Sequence, residues 1–578
     1  MPETRSGLLR AFATGRSHDS AGGAVRAGPT GRCRRLLARL ALLVPALLAA
    51  GAVPAAAQVD PIDNIQRRGT LVVGVKNDYP LFGSVNPAGQ LVGLEPDLAA
   101  DLARRLNVSL TLVGVTSANR FQRLQDGTID VMIATLGDTE QRRKIVTIVE
   151  PNYYASGVNV MTPPSSRIRE WSELRGQRVC ATQGTYFNRL MAERYLLDLQ
   201  NYNSNRDARL ALKDGRCVAW LYDDTAIAGD LQDAEWAGWR MPLQSVLLTP
   251  WAVALHPDAR GSRLERLVGD AVADWHRTGF LIDAERKWNI PPGVFLQRTR
   301  DLWSETDGTG QPLCRRQANG QWPEVCRNQA LLASNDASGV LRIGLVIKER
   351  TGLDLSVLYD RYDRNVFLFA VLQSLALIAA CLVGGFASGV VGAILLDRRI
   401  PVVTHLASAA IAVTRMTPPL LQIYVVFFGV GSFVIAHWGL SVDGAIVAAI
   451  CLSFYAGAGN AVAINEASEF LRARIPDFRL SLATLPQALR LSQGSIVSTL
   501  VNIVKATGMA SAIAVPELIS ASTYVMAERG NASVMMNVLM VVYLLLVLAV
   551  VRLLDRLQKW FASPEREARP LAVPRRAT

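Results

Sequence analysis

Two adjacent arginines, Arg142 and Arg143, stand in the first turn of a predicted helix, where a cation is electrostatically unfavourable. The helix is predicted because an apolar, strand-like run ends at Thr135, a Gly-Asp turn follows, and Thr139 is a good N-cap residue. The amino end of a helix carries a partial positive charge and therefore favours anions. Either both arginines point into solvent, or an anion binds here. A carboxylate could accept a bidentate pair of N–H groups from one guanidinium and further N–H groups from the helix start.

The length and composition predict more than one domain and a membrane-embedded part. The chain has 578 residues, half of them hydrophobic, a net charge of +12 and a mean hydropathy of +0.20. Its basic residues cluster beside apolar segments and near the two ends, and no basic stripe is interleaved with aromatic residues. The charge is therefore explained by membrane topology, and no nucleic-acid partner is expected.

The sequence gives no support for a metal site or for Cys/His catalysis. None of the seven cysteines forms a C-x-x-C pair, and the five histidines are scattered. We expect no cofactor, no metal and no catalytic residues. The chain also lacks the G-x-x-x-x-G-K-[ST] nucleotide-binding pattern, so any ATP hydrolysis would need a separate polypeptide.

The first residues are typical of a secretory signal. A charged segment, GRCRRLLARL, precedes the apolar run ALLVPALLAAGAV and the small residues Ala55–Ala57, which predicts cleavage after Ala57. The segment 1–57 is thus interpreted as leader and signal peptide. Cysteines in the exported part that follows could form disulfides.

Strands and helices alternate over residues 58–298. Apolar runs at 71–75, 109–115 and 130–136 read as strands, with helical periodicity at 95–106 and 119–127 between them. The alternation restarts after Pro151 and ends in a long predicted helix reaching about Trp288. Two α/β lobes joined by extended crossings explain this pattern. Residues 299–364 read as a polar connector in which Cys314 and Cys326 are spaced to close a small loop.

The remaining chain predicts five membrane spans, within a domain of residues 365–560 that is followed by a tail at 561–578. The predicted spans lie at about 366–396, 401–436, 443–465, 492–519 and 532–551. Basic residues concentrate at 397–399, between Arg472 and Arg490, and after Val551, whereas the loops on the other side hold only Arg529. By the positive-inside rule the C-terminus is cytoplasmic and the N-terminal domain lies outside the membrane.

The N-terminal half resembles a periplasmic amino-acid-binding protein of the family 3 solute-binding type. The runs that carry the resemblance are LVVGVKNDYPLFG, GQLVGLEPDLAADLARRL and NRFQRLQDGTIDVMIATLGDTEQRRK, together with YY-ASG. The resemblance implies a two-lobed type II (Venus-flytrap) α/β fold that closes on a free amino acid.

The resemblance also implies a ligand site. ATLGDTEQR matches the family's cradle A-[ST]-x-[SG]-x-T-x-x-R, which places Arg142 on the ligand's α-carboxylate and leaves Arg143 solvated. Thr135 and Gly137 match positions where a hydroxyl and a backbone N–H contact the ligand. Tyr79 and Phe82 match aromatic positions that pack on its side chain, although core packing is an equal alternative. Lys76 lies at or beside a position where binders of basic amino acids often carry Asp, which leaves neutral or acidic ligands open.

The second lobe supplies the other half of the implied site. QGTYFN resembles the family's QGT turn, with Thr185 capping a helix that faces the cleft, and GRCVAWLYDD places Asp223 on the ligand's α-ammonium group. A solvated aspartate at a strand end is the alternative. Cys180 and Cys217 lie on two predicted strands of this lobe, where we expect a disulfide.

The C-terminal half is similar to the permease of polar-amino-acid (His/Glu/Gln/Arg-type) ABC transporters. TRMTPPLLQIYVVFFG, LSFYAGA, LPQALR and VKATGMASAIAVPEL match in order. Polar residues in or near the spans are candidates for the transport pathway, and here these are Arg415, Thr417, Lys505 and Glu517. The alternative is that they lie at the span ends and extend their polar groups to the membrane surface. The family's ATPase-coupling loop is visibly shorter here, and only Glu466 and Ala467 match its E-A-A motif.

The sequence therefore predicts an α/β two-lobed binding domain fused to an all-α permease of five helices. The expected function is amino-acid import across a bacterial inner membrane, with a permease homodimer or heterodimer and a cytoplasmic ATPase dimer as partners. A ligand-gated sensor or channel without ATP drive is one alternative, which the short coupling loop keeps open. A periplasmic enzyme on the same fold is the other.

Overall fold

The computed structural model describes residues 60–328, 339–398, 400–440 and 442–561. From Asp60 onward the described residues belong to one compact unit. The predicted signal peptide, the basic residue Arg399 and residues 562–578 of the predicted cytoplasmic tail lie outside the described residues.

Eleven strands of the described residues form a mixed sheet and a small hairpin sheet. Their bounds are β1 Thr70–Lys76, β2 Asp78–Tyr79, β3 Gly83–Val85, β4 Leu91–Val92, β5 Ser109–Val115, β6 Val131–Gly137, β7 Thr147–Met161, β8 Arg178–Thr182, β9 Asp198–Tyr202, β10 Ala219–Asp223 and β11 Val246–Leu255. The large sheet has the order β5-β1-β6-β11-β7-β10-β8-β9, and β2-β3-β4 form the small one. The three strands predicted in the first lobe are present, each within one residue of the predicted bounds.

Two lobes follow from the pairing of these strands. Strands β5, β1 and β6 are parallel in the first lobe, and β10, β8 and β9 are parallel in the second. The long strands β7 and β11 pair antiparallel with each other and link the lobes, because β11 also pairs with β6 while β7 also pairs with β10. The predicted extended crossings are these two strands.

Helices cover both lobes, and one prediction about them is wrong. The α-helices have the bounds Pro61–Arg68, Leu94–Leu106, Arg120–Gln125, Glu140–Arg143, Asn188–Tyr195, Asn205–Lys213, Asp224–Asp230, Arg263–Thr278 and Phe280–Lys287. The long helix predicted to reach Trp288 is two helices. Gly279 separates them with a φ of 79°, a left-handed conformation that commonly ends a helix.

The part of the chain that the structure describes contains the two predicted disulfides. Cys180 on β8 bonds to Cys217, with a Cα–Cα distance of 5.6 Å, and Cys314 bonds to Cys326. The second disulfide packs with the buried Trp303 and Trp322. A helix, Val294–Ser304, runs through the boundary predicted at residue 298. The first part of the predicted polar connector is therefore a folded extension of the first lobe.

The C-terminal region is helical, and its described residues contain five helices long and apolar enough to cross a membrane. The candidate spans are Arg361–Asp397, Pro419–Trp438, Gly444–Arg472, Leu485–Ile513 and Ala532–Arg556. The further helices of this half of the chain are Val340–Thr351, Ser356–Tyr359, Pro401–Met416 and Leu518–Arg529. The second span was predicted over 401–436, but the structure breaks that segment at Thr417 because Pro418 and Pro419 provide no backbone N–H.

Small residues bring the first and third spans together. An added Cβ on Gly385 would lie 2.8 Å from Ala456 Cβ, and one on Gly389 would lie 2.5 Å from Asn460 Cβ. Asn460 Nδ2 also donates to Gly385 O at 3.1 Å. Close packing of small residues with an interhelical hydrogen bond is the usual way in which helices associate in lipid.

Candidate functional site

The candidate residues gather where the carboxyl ends of parallel strands in the two lobes face each other. In the first lobe, β1 ends at Lys76 and β6 at Gly137, and in the second β8 ends at Thr182 and β10 at Asp223. In α/β sheets, ligands bind in the crevice outside these ends. Sheet topology thus brings together segments that are distant in sequence.

Arg142 is buried in this crevice. Thr139 caps the four-residue helix Glu140–Arg143, its Oγ1 accepting from Arg142 N at 3.3 Å, as predicted. The Arg142 side chain donates from Nη1 to Gly137 O and from Nη2 to Gly184 O, both at 3.1 Å. Its residue exposure is 4%. The solvated alternative is therefore wrong for Arg142, and its guanidinium joins the two lobes.

Arg143 was expected in solvent and instead forms ion pairs. Its Nη2 lies 2.6 Å from Asp138 Oδ2 and 2.6 Å from Glu150 Oε1. Partial burial acts to lower the pKa of Arg143, but these carboxylates outweigh it and raise that pKa above its usual value. The two neighbouring arginines thus differ: Arg143 is neutralised by carboxylates, whereas Arg142 is held by backbone carbonyl oxygens.

Asp223 lies at the end of β10 with 4% exposure. It occupies the N-cap position of helix Asp224–Asp230 but makes no side-chain cap hydrogen bond. Its Oδ1 is buried and has no hydrogen-bond partner among the described residues. Burial, aided by the charge of Asp224, raises the pKa of Asp223 to about 7, although Arg120, Lys76 and Arg142 act in the opposite direction. The solvated alternative is wrong for this residue too.

Arg120 is a buried cation of the crevice that the sequence reasoning did not select. Its Nη1 donates to Thr135 O at 3.1 Å and its Nη2 to Gly184 O at 3.2 Å, while its Nε is without a partner in the described part of the chain. The available signal was the one used for Arg142, an arginine at a helix start just after a strand. Lys76, also fully buried, pairs with Asp78 at 2.7 Å. Burial lowers the pKa of both cations.

Thr135 and Gly137 shape the first-lobe side of the crevice. Thr135 has a φ of 45°, and its N–H donates to Glu95 Oε1 at 2.6 Å, so only its hydroxyl is left for a ligand. Burial raises the pKa of this Glu95 carboxyl to about 7. A Cβ on Gly137 would lie 2.9 Å from the Tyr186 ring, which explains the glycine.

Thr185 does not cap a helix, contrary to expectation. The helix begins at Asn188, and Thr185 Oγ1 donates to Thr182 O at 3.1 Å, which stabilises the turn after β8. The next residue, Tyr186, places its aromatic ring in the crevice from the second lobe, with the ring centroid 5.4 Å from Cζ of the Arg142 guanidinium.

Tyr79 and Phe82 both belong to a buried aromatic cluster. Phe82 packs edge-on against Tyr154 and Trp251, with centroids 4.9 and 5.2 Å away, so the core-packing alternative describes it well. Tyr79 also reaches the other lobe, where its hydroxyl lies 2.6 Å from Thr225 Oγ1.

The two lobes are closed on each other. Besides the arginine contacts to Gly184, Asn205 N donates to Asp78 Oδ2 at 3.0 Å across the cleft. An added Cβ on Gly184, which has a φ of 79°, would overlap Ser117 O. The backbones of the lobes therefore approach as closely as a glycine allows.

The candidates in the helical region occupy varied positions. Arg415 and Lys505 are exposed in the last turns of their helices, and Thr417 Oγ1 donates to Val413 O at 2.7 Å. Glu517 is buried and caps helix Leu518–Arg529, accepting from Ile519 N and Ser520 N at 2.9 Å.

The two residues of the predicted coupling motif lie inside the third span helix. Glu466 is exposed and Ala467 is buried. The turn that follows is fixed to Asp397 at the end of the first span, which accepts from Leu480 N at 2.9 Å and from Arg472. The shortened loop therefore has a defined conformation.

The geometry defines a two-lobed binding domain with an ionic crevice, followed by apolar helices. The model of the bacterial extracellular solute-binding proteins, family 3, matches residues 71–380, just over half of the chain. This chain belongs to that family. Among residues 60–328, 339–398, 400–440 and 442–561, no group of three or more His, Cys, Asp or Glu side chains could hold a metal ion.

Characterised relatives are amino-acid-binding transport proteins. The chain is 31% identical over 182 residues to a glutamine-binding protein of Geobacillus stearothermophilus, covering 30% of this chain and 68% of that one. It is 25% identical over 272 residues to the glutamate/aspartate import solute-binding protein of Escherichia coli K12, covering 44% and 88%. Among solved structures, a mutant of ArgBP from T. maritima matches with 26% identity and a TM-score of 0.37, covering 40% of this chain and 99% of that one.

Proposed function

We propose that this chain is the fused substrate-binding and permease subunit of an amino-acid importer. The observation that carries the proposal is a pair of buried, complementary groups in the closed crevice. The Arg142 guanidinium uses two of its five N–H donors on carbonyl oxygens, and the Asp223 Oδ1 atom has no partner in the described chain. A free amino acid has the α-carboxylate and α-ammonium groups that would satisfy them.

The two groups come from different lobes, which couples binding to closure. Arg142 follows β6 of the first lobe and Asp223 ends β10 of the second. A zwitterion can contact both only when the lobes meet, so ligand binding stabilises the closed arrangement. Burying the Asp223 carboxylate with no hydrogen-bond partner for its Oδ1 is costly, and a bound ammonium group removes that cost.

The charges in the crevice favour an acidic side chain on the ligand. Lys76 is paired with Asp78, and Asp223 is assigned to the ligand's ammonium group. Arg120 has no carboxylate partner among the residues described, and its Nε makes no hydrogen bond. A second carboxylate on the ligand would neutralise this buried cation. L-glutamate or L-aspartate fits this balance, and the E. coli relative is a glutamate/aspartate import solute-binding protein.

The helical region supports the transport half of the proposal. Five helices among the described residues could cross a membrane, and they lie after the binding domain and the connector in the same chain. A covalent connection raises the effective concentration of the binding domain at the pathway entrance. The cytoplasmic ATPase would bind near Glu466 and the fixed turn after Arg472. Homodimeric and heterodimeric permease assemblies both remain within the proposal.

Binding is tested first, with the full chain purified in detergent. Calorimetric titration with each of the twenty amino acids should give binding by L-glutamate or L-aspartate and none by L-lysine. Arg142→Ala should abolish binding, whereas Arg286→Ala, at an exposed surface pair, should leave it unchanged. Arg120→Met should weaken acidic ligands more than L-glutamine. Absence of binding by every amino acid contradicts the proposal.

Transport is tested in reconstituted vesicles containing the chain and its ATPase. The ligand should stimulate ATP hydrolysis and accumulate in the lumen. Binding without stimulated hydrolysis would indicate an amino-acid sensor instead, and conversion of the ligand into a product would indicate an enzyme.

A further inference from the structure

One short helix of the C-terminal region, Leu518–Arg529, contacts both lobes at the mouth of the cleft. From the second lobe, Gln183 Nε2 donates to Ser520 Oγ at 3.1 Å. From the first lobe, Gln125 Nε2 donates at 2.8 Å to the carbonyl oxygen of Gly530, the residue after the helix. Because an α-helix fixes the distance between its two ends, the lobes cannot separate while both contacts persist. One lobe must therefore leave the helices when the cleft opens.

The second lobe has a charged contact with the start of the first span. Arg189 Nη1 lies 3.3 Å from Asp360 Oδ2, and its Cζ lies 4.7 Å from the centroid of the Tyr362 ring. Asp360 caps the helix Arg361–Asp397, accepting from Tyr362 N at 2.9 Å, and it also pairs with Arg529 at 2.7 Å. The side chains of Arg189 and Asp360 are 19% and 7% exposed, so solvent screens this pair little.

A further charged contact joins the second lobe to the second span. Ser432 Oγ donates to Asp214 Oδ2 at 2.6 Å, and the guanidinium of Arg216 donates to Phe427 O. Arg216 Cζ also lies 3.5 Å from the centroid of the Phe427 ring, which is buried among the helices. An added Cβ on Gly431 would lie 2.7 Å from Arg216 Nη2, so a larger residue there would crowd the guanidinium. Arg216 is therefore packed into the helical region.

The first lobe meets the helices through a neutral contact. The Gln125 hydrogen bond involves no charged group, and beside it an added Cβ on Gly530 would overlap Ile145. Hydrogen bonds to ionised groups are roughly twice as strong as neutral ones. Removing one partner of a buried ion pair also leaves an uncompensated charge. Parting the second lobe from the helices would therefore cost more than parting the first.

We propose that the second lobe stays fixed on the helical region when the cleft opens, so that the first lobe is the half that moves. This inference rests on the function proposed above, in which opening of the cleft admits and releases the amino acid. Strands β7 and β11, which link the lobes, provide the hinge. Opening withdraws Arg142 and Arg120 from the ligand, while Asp223 keeps its place relative to the helices. The amino acid thus loses its carboxylate contacts first and stays on the lobe that is held against the helices.

The test measures distances between two spin labels on the full chain in detergent, with and without L-glutamate. One label is attached at Leu440→Cys, an exposed position after the second span. The other is attached either at Ala100→Cys of the first lobe or at Leu210→Cys of the second, both exposed on helices. Cys381 and Cys451 are buried, and the parent chain carried through the same labelling is the control for them. Dilution with unlabelled parent removes distances between copies.

Adding L-glutamate should shift the distance between the labels at Ala100 and Leu440 by more than about 2 Å, the scale of domain rearrangements on binding. The distance between the labels at Leu210 and Leu440 should not change. The inference is overturned if the second-lobe distance shifts as much as the first-lobe distance, or if neither shifts while calorimetry shows binding. If the parent binds L-aspartate or L-glutamine but not L-glutamate, that amino acid replaces it as the probe. Failure of the parent to bind any amino acid would instead refute the proposed function.

A double variant tests the charged contacts themselves. Arg189→Met combined with Arg216→Met removes both guanidinium groups and keeps an unbranched side chain at each position. It should make the distance between the labels at Leu210 and Leu440 respond to L-glutamate. Gln125→Ala, which removes the neutral contact of the first lobe, is the matched control and should leave that distance unchanged. A double variant that folds and binds, yet keeps the ligand-independent second-lobe distance of the parent, overturns the inference.

Discussion

Replacing Asp223 by asparagine should make the ligand-free protein more stable while weakening amino-acid binding. Burial raises the pKa of this carboxyl from 3.8 to about 7. Because the folded state then binds the proton more tightly than the unfolded state, stability falls as pH rises from about 4 to about 7. Above that range the ionised carboxylate destabilises the fold by about 4 kcal/mol.

The side-chain amide of the Asp223→Asn variant cannot ionise, so the variant avoids this penalty. The amide introduces new donors that also need partners, which reduces the expected gain to about 1–3 kcal/mol above pH 7. Near pH 4 the parent carboxyl is protonated in the fold, and the gain should vanish. Binding moves in the opposite direction, because loss of a buried charged partner costs about 2–5 kcal/mol, which corresponds to at least thirtyfold weaker affinity.

The assay is thermal unfolding of the full chain in detergent at pH 4.5 and pH 8, followed by tryptophan fluorescence, with and without ligand. The exposed Asp283→Asn variant is the matched control and should change neither stability nor binding. The reasoning is refuted if Asp223→Asn is less stable than the parent at pH 8, or if it retains parental affinity.

Three further outcomes follow from other parts of the binding domain. Replacing Cys180 and Cys217 by serine should lower the stability of the second lobe by about 2–4 kcal/mol, because the disulfide no longer restricts the unfolded chain between two residues 37 positions apart. An unchanged midpoint in denaturant titrations would contradict this. Gly184→Ala should weaken ligand binding by blocking closure against Ser117, whereas Gly261→Ala, with a similar φ of 77° and open space around it, should leave affinity intact. His276 is buried, which lowers its pKa to about 4, so the unfolded state takes up the proton first as pH falls. The contribution of His276 to stability should therefore fall by about 2 kcal/mol from pH 7 to pH 5, opposite in sign to that of Asp223, and the stability of His276→Gln relative to the parent should rise by that amount over this range.

Local patterns were sufficient where a structural element depends on neighbouring residues. The strands β1, β5 and β6 have the predicted positions because alternating or continuous apolar residues mark a buried strand. The Thr139 cap was predictable from the residue type that precedes a helix start, and apolar runs predicted the candidate spans, except that the second was expected over 401–436 and is Pro419–Trp438. The helix reaching Trp288 was mispredicted, since Gly279 fits a helix pattern but takes a left-handed conformation.

The crevice shows where local patterns are insufficient. Arg142 and Arg143 are adjacent and chemically identical, yet one faces backbone carbonyls in the crevice and the other pairs with Asp138 and Glu150. They differ because β7 brings the carboxylate of Glu150 to Arg143, whereas the turn after β8 brings the carbonyl oxygen of Gly184 to Arg142. Arg120 also stands at a helix start after a strand, but only its contacts with Thr135 and the sequence-distant Gly184 show that it belongs to the crevice.

The sequence by itself determined the order of the parts: an α/β domain of two lobes, a connector with its own disulfide, and five apolar helices. These depend on hydrophobic periodicity and on residues close together along the chain. Only the tertiary structure decided which charges are buried without partners and which helix reaches the mouth of the cleft. Burial and electrostatic pairing depend on segments brought together by folding, such as Asp223 with Arg142 and Gly530 with Ile145, and no local pattern contains that information.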